Sequence, residues 1–154
     1  MKKIANSPVQ LMSDYVDHLR ALVMVHQNNH WETSGNNFYG NHLLFQRLYE
    51  GVLELADEAA EKTIGVFDTI IQGDVSGIVK RYSVEKPAPS MVGPDAYIKS
   101  SLKAEDDFQT LARKVYLNLK DSSSLTLGLD DMIMSHSSRS EVHTYLLKQS
   151  LMDK

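Results

Sequence analysis

Cysteine is absent from this chain. Disulfides, thiolate metal sites, iron–sulfur clusters and cysteine nucleophiles are therefore excluded. Long apolar runs are missing as well. The longest near the N-terminus is Ala21–Val25, whereas a bilayer-spanning helix needs about 20 such residues. The segment Met1–Pro8 lacks the apolar stretch of a signal peptide, so the expected compartment is the cytoplasm and no membrane is implied. Positive charge is scarce: the formal net charge is −4, which argues against a generally basic nucleic-acid surface. Lys2 and Lys3 are the only lysines or arginines before Arg20. A tail that short gives DNA phosphates only a weak, salt-sensitive contact. No Gly-x-Ser-x-Gly elbow and no phosphate-cradling glycine motif occurs, which removes support for hydrolase and nucleotide chemistry. Strand-like alternation and internal repeats are also lacking.

What remains is the composition of a soluble globular protein, with 154 residues, 42% hydrophobic and 23% charged. One domain over residues 1–154 is expected. Ser7-Pro8 starts a first helix, with Gln10 at capping-box spacing. Met12, Val16, Leu19, Leu22 and Val23 keep a helical period to about Glu32. A second helix runs from Asn37 or Phe38 to about Phe67, with Phe45, Leu48, Val52, Leu55 and Ala59 inside. Gly40 and Gly51 each cost that helix about 1 kcal/mol relative to alanine, and small residues there allow close packing of a partner. Gly73–Gly77 reads as a turn, Gly77–Tyr82 as a short helix, and Ser83–Pro94 as a loop because it holds Pro87, Pro89 and Pro94. A third long helix spans about Asp95–Leu119, with Ile98, Ser101, Glu105, Phe108, Leu111 or Ala112, Val115 and Leu119 inside. After the turn Asp121–Ser124, a fourth runs from about Leu127 to Leu151. Four long helices with one long crossover predict an all-α, ferritin-like four-helix bundle whose crossover carries a short extra helix.

The stretch from His26 to Glu61 organises this chain. Ser34-Gly35-Asn36-Asn37 is strong turn chemistry, so it forms the tip of a helical hairpin. His30 lies just before the turn and His42 just after it, and antiparallel flanks bring the two imidazoles together. Asp57 and Glu61 follow at i, i+4 on one face of the second helix. Two imidazoles and two carboxylates suit a first-row transition metal, iron above all. Yet His42 and Asp57 are separated by roughly 22 Å of helix axis, at about 1.5 Å per residue. No single ion touches both. Unless the two pairs are unrelated, the histidines of one chain meet the carboxylates of another across a two-fold axis, and the site exists only in a dimer or larger assembly.

The same stretch resembles the Dps family, the DNA-protection-during-starvation mini-ferritins. The match rests on His30-Trp31, Gly35, Phe38, His42, Phe45, Tyr49 and Asp57-Glu58-Ala59-Ala60-Glu61. Elsewhere it is architectural. The resemblance implies a hollow homo-dodecamer of four-helix subunits. Its ferroxidase centres lie at two-fold interfaces, with His30 and His42 from one subunit and Asp57 and Glu61 from the other. Iron would be bound as Fe²⁺, oxidised by hydrogen peroxide or O₂, and stored as ferric mineral. Many members bind DNA through basic tails; the short tail and negative charge here weigh against it. The runner-up reading is a DNA-coating or structural cage with little ferroxidase activity. An intrachain di-iron enzyme is excluded, because none of the six histidines has a carboxylate three residues before it.

The chain departs from the family at Gln46, where an aspartate is usual. A neutral amide is a poorer ligand for a hard cation, so weaker or fewer bound irons are expected. Trp31 reads as packing beside the site, with electron donation as the alternative. His26, four residues before His30, has metal-compatible spacing but no obvious carboxylate partner. Glu50, Glu54 and Glu58 read as a solvated face or an acidic interior. The polar run Ser135–Glu141 with His136, and His143 beyond it, reads as facing a subunit contact or the cavity. Asp121, Asp130 and Asp131 read equally as an acidic pore lining or as aspartates favoured at a helix start.

Overall fold

The computed structural model describes residues 7–71, 75–85, 93 and 95–152. Lys2, Lys3, the Gly73-Asp74 part of the predicted turn, and Pro87, Pro89 and Pro94 lie outside them. The helices are α1 (Pro8–Glu32), α2 (Phe38–Phe67), a short α3 (Val75–Glu85), α4 (Ala96–Asp121) and α5 (Leu127–Leu151). Among the described residues there is no strand, and no helix is long and apolar enough to cross a membrane.

Local chemistry explains most boundaries. Ser7 Oγ accepts from the Gln10 backbone N–H at 3.2 Å, and Pro8 opens α1 where its missing donor costs nothing. Only half of the expected capping box forms. The Gln10 side chain turns forward to Asp14 at 3.1 Å instead of back to Ser7. Thr126 caps α5 by accepting from Leu129 N–H at 3.2 Å. Asp68, with φ of 46°, ends α2 in a left-handed residue. The short helix is longer than predicted at both ends: Val75 and Ser76 belong to it rather than to the turn, and it continues through Glu85 into what reads as loop. Helical hydrogen bonding there overrides the turn preference of Ser76 and Gly77.

Neighbouring helices run antiparallel, as their cross-contacts show. His30 and His42 tie α1 to α2. His26 meets Glu105 while Asn29 reaches the Tyr97 carbonyl. Glu105 meets His143 and Gln109 meets Ser137. The crossover over residues 68–95 therefore joins α2 and α4 running in the same direction, the connection that the ferritin-like topology requires.

The core has three levels along the bundle axis. A large apolar cluster includes Met12, Tyr15, Leu19, Val52, Phe108, Val115, Leu129 and Met132. A smaller one holds Phe45, Leu48, Ile98 and Leu147 below the hairpin tip. Between them lies a buried polar layer. Glu105 Oε1 accepts from His26 Nε2 at 2.9 Å and from His143 Nδ1 at 2.8 Å. Its Oε2 accepts from the Ser140 hydroxyl. Ser101 Oγ lies 2.9 Å from His26 Nδ1 and accepts from Asn29 Nδ2 at 2.8 Å. Glu105, Ser101 and His26 are fully buried.

This layer corrects two expectations. His26 does have a carboxylate partner, Glu105, distant in sequence but one helix away in space. Both its ring nitrogens are engaged, so it does not form a metal site with His30. His136, Ser140 and His143 face the bundle interior instead of a subunit contact or a cavity; only the alternate positions Ser135, Ser138, Arg139 and Glu141 are exposed. A helix presents both faces, and the i, i+4, i+7 set goes inward. A Cβ on Gly51 would lie 3.6 Å from His143 Nε2, an ordinary contact, so the bundle itself does not demand a glycine there.

Burial alone would raise the Glu105 carboxyl. The hydrogen bonds from His143 and His26, with the field of both rings, outweigh burial and bring its pKa from 4.5 down to about 2. A depressed carboxylate contributes stability above its unfolded pKa and loses it as pH falls through the folded one. Glu105 thus contributes on the order of 3 kcal/mol at neutral pH, lost between about pH 4.5 and pH 2. Thermal melts against pH should show this acid limb, and Glu105→Gln should flatten it. Glu105→Leu, which strands two buried imidazole N–H groups, should cost about 3–5 kcal/mol at pH 7. An unchanged acid limb in the glutamine variant would remove Glu105 as its source.

Candidate metal centre

The hairpin tip is built by its turn. Thr33 N–H closes α1 onto the Asn29 carbonyl at 3.1 Å, and Phe38 N–H reaches the Gly35 carbonyl at 3.0 Å. Gly35 has φ of +91°, a region open to glycine and strained for residues with a Cβ. This reversal sets His30 in the last turn of α1 beside His42 in the first turns of α2.

The two imidazoles clamp each other's backbone. His30 Nδ1 lies 2.8 Å from the His42 carbonyl, and His42 Nδ1 lies 3.0 Å from the His30 carbonyl. A carbonyl only accepts, so each Nδ1 must carry the hydrogen. In a neutral ring each Nε2 is then a bare lone pair. The rings stack with centroids 3.7 Å apart and 24° between planes. The Tyr49 ring stands edge-on to His30 at 5.4 Å, and Phe38 covers His42 at 5.0 Å. Imidazoles that donate one N–H to a backbone carbonyl are held in the orientation that metal-binding histidines use. The pair therefore presents two fixed, half-exposed nitrogen donors side by side.

Asp57 and Glu61 lie far along the same unbroken α2 and are exposed. Asp57 borders a shallow cavity of about 800 Å³ with Val16, Leu53, Ala60, Ile64 and Ile71. Leu53 and Ile64 are 57% and 45% exposed. A carboxylate set in an uncovered apolar groove is unusual for a free surface. The four predicted residues thus form two pairs, and the chain does not bring the pairs together. Among the described residues, no group of three or more histidine, aspartate or glutamate side chains is arranged to hold a metal ion.

The other expectations divide. Gln46 donates from Nε2 to Glu50 Oε1 at 2.8 Å, along its own helix. Trp31 is 67% exposed and does not pack beside the histidines within this chain. Glu54 and Glu58 are not simply solvated: Glu54 meets Arg139 at 3.0 Å, and Glu58 meets His136 at 3.2 Å and Lys62 at 3.7 Å. Asp130 sits in the first turn of α5, where the helix dipole favours it, but Asp121 is the last residue of α4, where the dipole does not. Sequence reasoning missed the pairing of Glu105 and His26, and that of Tyr15 with His136. One signal was available: Glu105 stood on an otherwise apolar or small inner stripe.

No family model matches the chain. A stretch of 58 residues is 36% identical to "DNA protection during starvation protein 2" of Deinococcus radiodurans, covering 38% of this chain and 24% of that protein. The match therefore spans about a quarter of that relative's length. The whole chain superimposes on solved Dps structures. DpsC from Streptomyces coelicolor has a TM-score of 0.83 at 19% identity, over 100% of this chain and 92% of that one. Dps from Thermosynechococcus elongatus gives 0.82 at 18%, over 96% and 91%. Dps from Staphylococcus aureus gives 0.81 at 17%, over 97% and 98%. The fold is that of the solved Dps proteins, and the 58-residue match supports the resemblance to their family.

Gly35 is the testable joint of the tip. Gly35→Ala should cost about 1–2 kcal/mol, because a Cβ is disfavoured at positive φ although space is open around it. Urea denaturation measures the loss. A neutral result would mean that the turn relaxes and the clamp does not depend on it.

Proposed function

We propose that this chain is a ferroxidase mini-ferritin, with iron as its substrate and cargo. Each site would join His30 and His42 of one chain to Asp57 and Glu61 of another. The observation that carries this reading is the reciprocal imidazole–carbonyl clamp. It spends both Nδ1 hydrogens on the backbone and leaves both Nε2 atoms as donors, while among the described residues no carboxylate joins the two rings in a group that could hold a metal. The uncovered groove around Asp57 supports a partner helix seated there. A homo-oligomer with two-fold contacts, and a hollow dodecamer as the family's assembly, belong to the same reading. So does a cytoplasmic location.

The chemistry follows from the donor set. Imidazole nitrogens bind Fe²⁺ well, and anionic oxygens favour Fe³⁺ over Fe²⁺, so the mixed set helps drive oxidation. Two Fe²⁺ reduce one hydrogen peroxide, with two protons, to two waters and leave two Fe³⁺. Taking the two electrons together avoids releasing hydroxyl radical. O₂ is the alternative oxidant. DNA coating remains the competing role, and the charge of −4 disfavours it unless divalent ions bridge the surfaces.

Peroxide-driven Fe²⁺ oxidation on the size-fractionated assembly tests the reading. His42→Ala and Asp57→Ala should each slow it by about tenfold or more. Co-refolding the two variants should restore the rate of about a quarter of the sites, because half of randomly formed pairs are mixed and each mixed pair rebuilds one of its two sites. No recovery would argue that the sites lie within single chains. A wild-type rate equal to that of protein-free buffer would hand the function to the cage or DNA-coating reading.

Gln46 sits one turn after His42, where its amide brings no charge. Gln46→Asp should raise anaerobic Fe²⁺ affinity, measured by titration calorimetry on the iron-free assembly. Unchanged affinity would show that position 46 does not face the metal.

A further inference from the structure

Tyr15 is fully buried in the large apolar cluster, its ring tilted against Phe108 at 5.3 Å. Its hydroxyl lies 3.1 Å from His136 Nδ1. The opposite nitrogen of that ring, Nε2, lies 3.2 Å from Glu58 Oε2. His136 is fully buried, while the Glu58 side chain is 48% exposed. The three groups thus form a continuous hydrogen-bond path from solvent to a phenol in the core.

The direction of the path is fixed by chemistry. An ionised carboxylate only accepts, so His136 Nε2 carries the hydrogen. In a neutral ring Nδ1 is then a lone pair, and Tyr15 O–H donates to it. Burial pulls His136 below the ordinary imidazole range, outweighing the upward pull of Glu58; Arg139 and Lys62 lower it further. Burial first, and then Glu58, push the Tyr15 hydroxyl well above the ordinary tyrosine range. The resting state is therefore a neutral phenol hydrogen-bonded to a free base. Losing an electron reverses the acidity: an oxidised phenol is a strong acid and gives its proton to any base already in contact.

We propose that Tyr15, His136 and Glu58 form a redox relay in which Tyr15 yields one electron to a strong oxidant while its hydroxyl proton moves to His136 Nδ1. The oxidant is hydroxyl radical, formed where peroxide reacts with a single Fe²⁺, so this source rests on the ferroxidase reading. Hydroxyl radical takes the electron and a proton from solvent to become water. Tyr15 becomes a neutral phenoxyl radical, and the O–H bond broken there is matched by the N–H bond formed on His136. Glu58, next in sequence to Asp57, holds the imidazolium by its other N–H. A further Fe²⁺ then returns an electron to Tyr15, and His136 returns the proton. The net change is hydroxyl radical, Fe²⁺ and one proton to water and Fe³⁺. The relay would scavenge the product of one-electron leakage at the metal centre. His136 and Glu58 are positioning residues in this scheme.

The test needs no iron in its first arm. The iron-free assembly is flashed with a ruthenium tris-bipyridine sensitiser and persulfate, frozen, and examined by electron paramagnetic resonance. The chain has seven tyrosines, so assignment rests on the difference between variants. Wild type should give a neutral tyrosyl radical, most of which Tyr15→Phe should lose. His136→Gln keeps Tyr15 and a hydrogen-bond acceptor but not a base, and should also lose most of the signal. In wild type, radical formation should slow in D₂O, a readout that needs no variant to fold. A merely structural hydrogen bond would leave the signal alike in wild type and both variants, with no D₂O effect, and would overturn the proposal. The second arm supplies Fe²⁺ and peroxide. The same Tyr15 radical there supports both readings; its presence in the flash arm alone supports the relay and overturns the metal centre as the source of oxidant.

Discussion

A carboxylate buried at the centre of a helical bundle sets the terms for the rest of this fold. Glu105 is fully out of solvent, and an unpaired charge there would be prohibitive. It is tolerated because two neighbouring helices supply three donors: His26 from α1, and His143 and Ser140 from α5. The apolar clusters above and below provide most of the driving force for folding but little directional information. The polar layer supplies direction, since its hydrogen bonds form only in one register of α1, α4 and α5.

The hairpin tip solves a different problem with the same residue type. His26 and His143 spend their N–H groups on a carboxylate inside the bundle. His30 and His42 spend theirs on each other's backbone at its end, which leaves two nitrogens free. Imidazole chemistry is identical in the two places; the partner decides whether the ring is a structural donor or an available ligand. The carboxylates that complete the proposed site sit at the far end of α2. Helix rise separates the halves, so the proposed site would depend on assembly rather than on folding alone.

The seam where α2 meets α5 adds a third use. Glu58 and Glu54 engage His136 and Arg139 across it, so that face is not a bare acidic surface. Through His136 it also connects to Tyr15 in the core. An oxidation centre on one side of α2 and a proton-accepting path on another would place reactive chemistry and its safeguard on a single helix.

Helix boundaries, the turn at Ser34–Asn37 and the inward stripes of α2 and α4 were legible in the sequence because they follow from caps, turn residues and a short period, all local properties. The pairing of His30 with His42 was legible for the same reason, since a tight hairpin leaves few other arrangements. The separation of His42 from Asp57 needed only the rise of a helix. The partners of His26, His136 and Tyr15 were not legible: they lie 79, 78 and 121 residues away, and the helical period says which side chains point inward, not which inward residues meet. Ser135–Glu141 shows the same limit, because polarity alone does not tell a solvated face from a buried network. The sequence by itself determined the helices, the tip and the reach of its ligands, through interactions within a few turns. Only the tertiary structure decided which buried polar groups pair and which histidine nitrogens stay free, because hydrogen-bond partners in a bundle core are set by how whole helices register against one another.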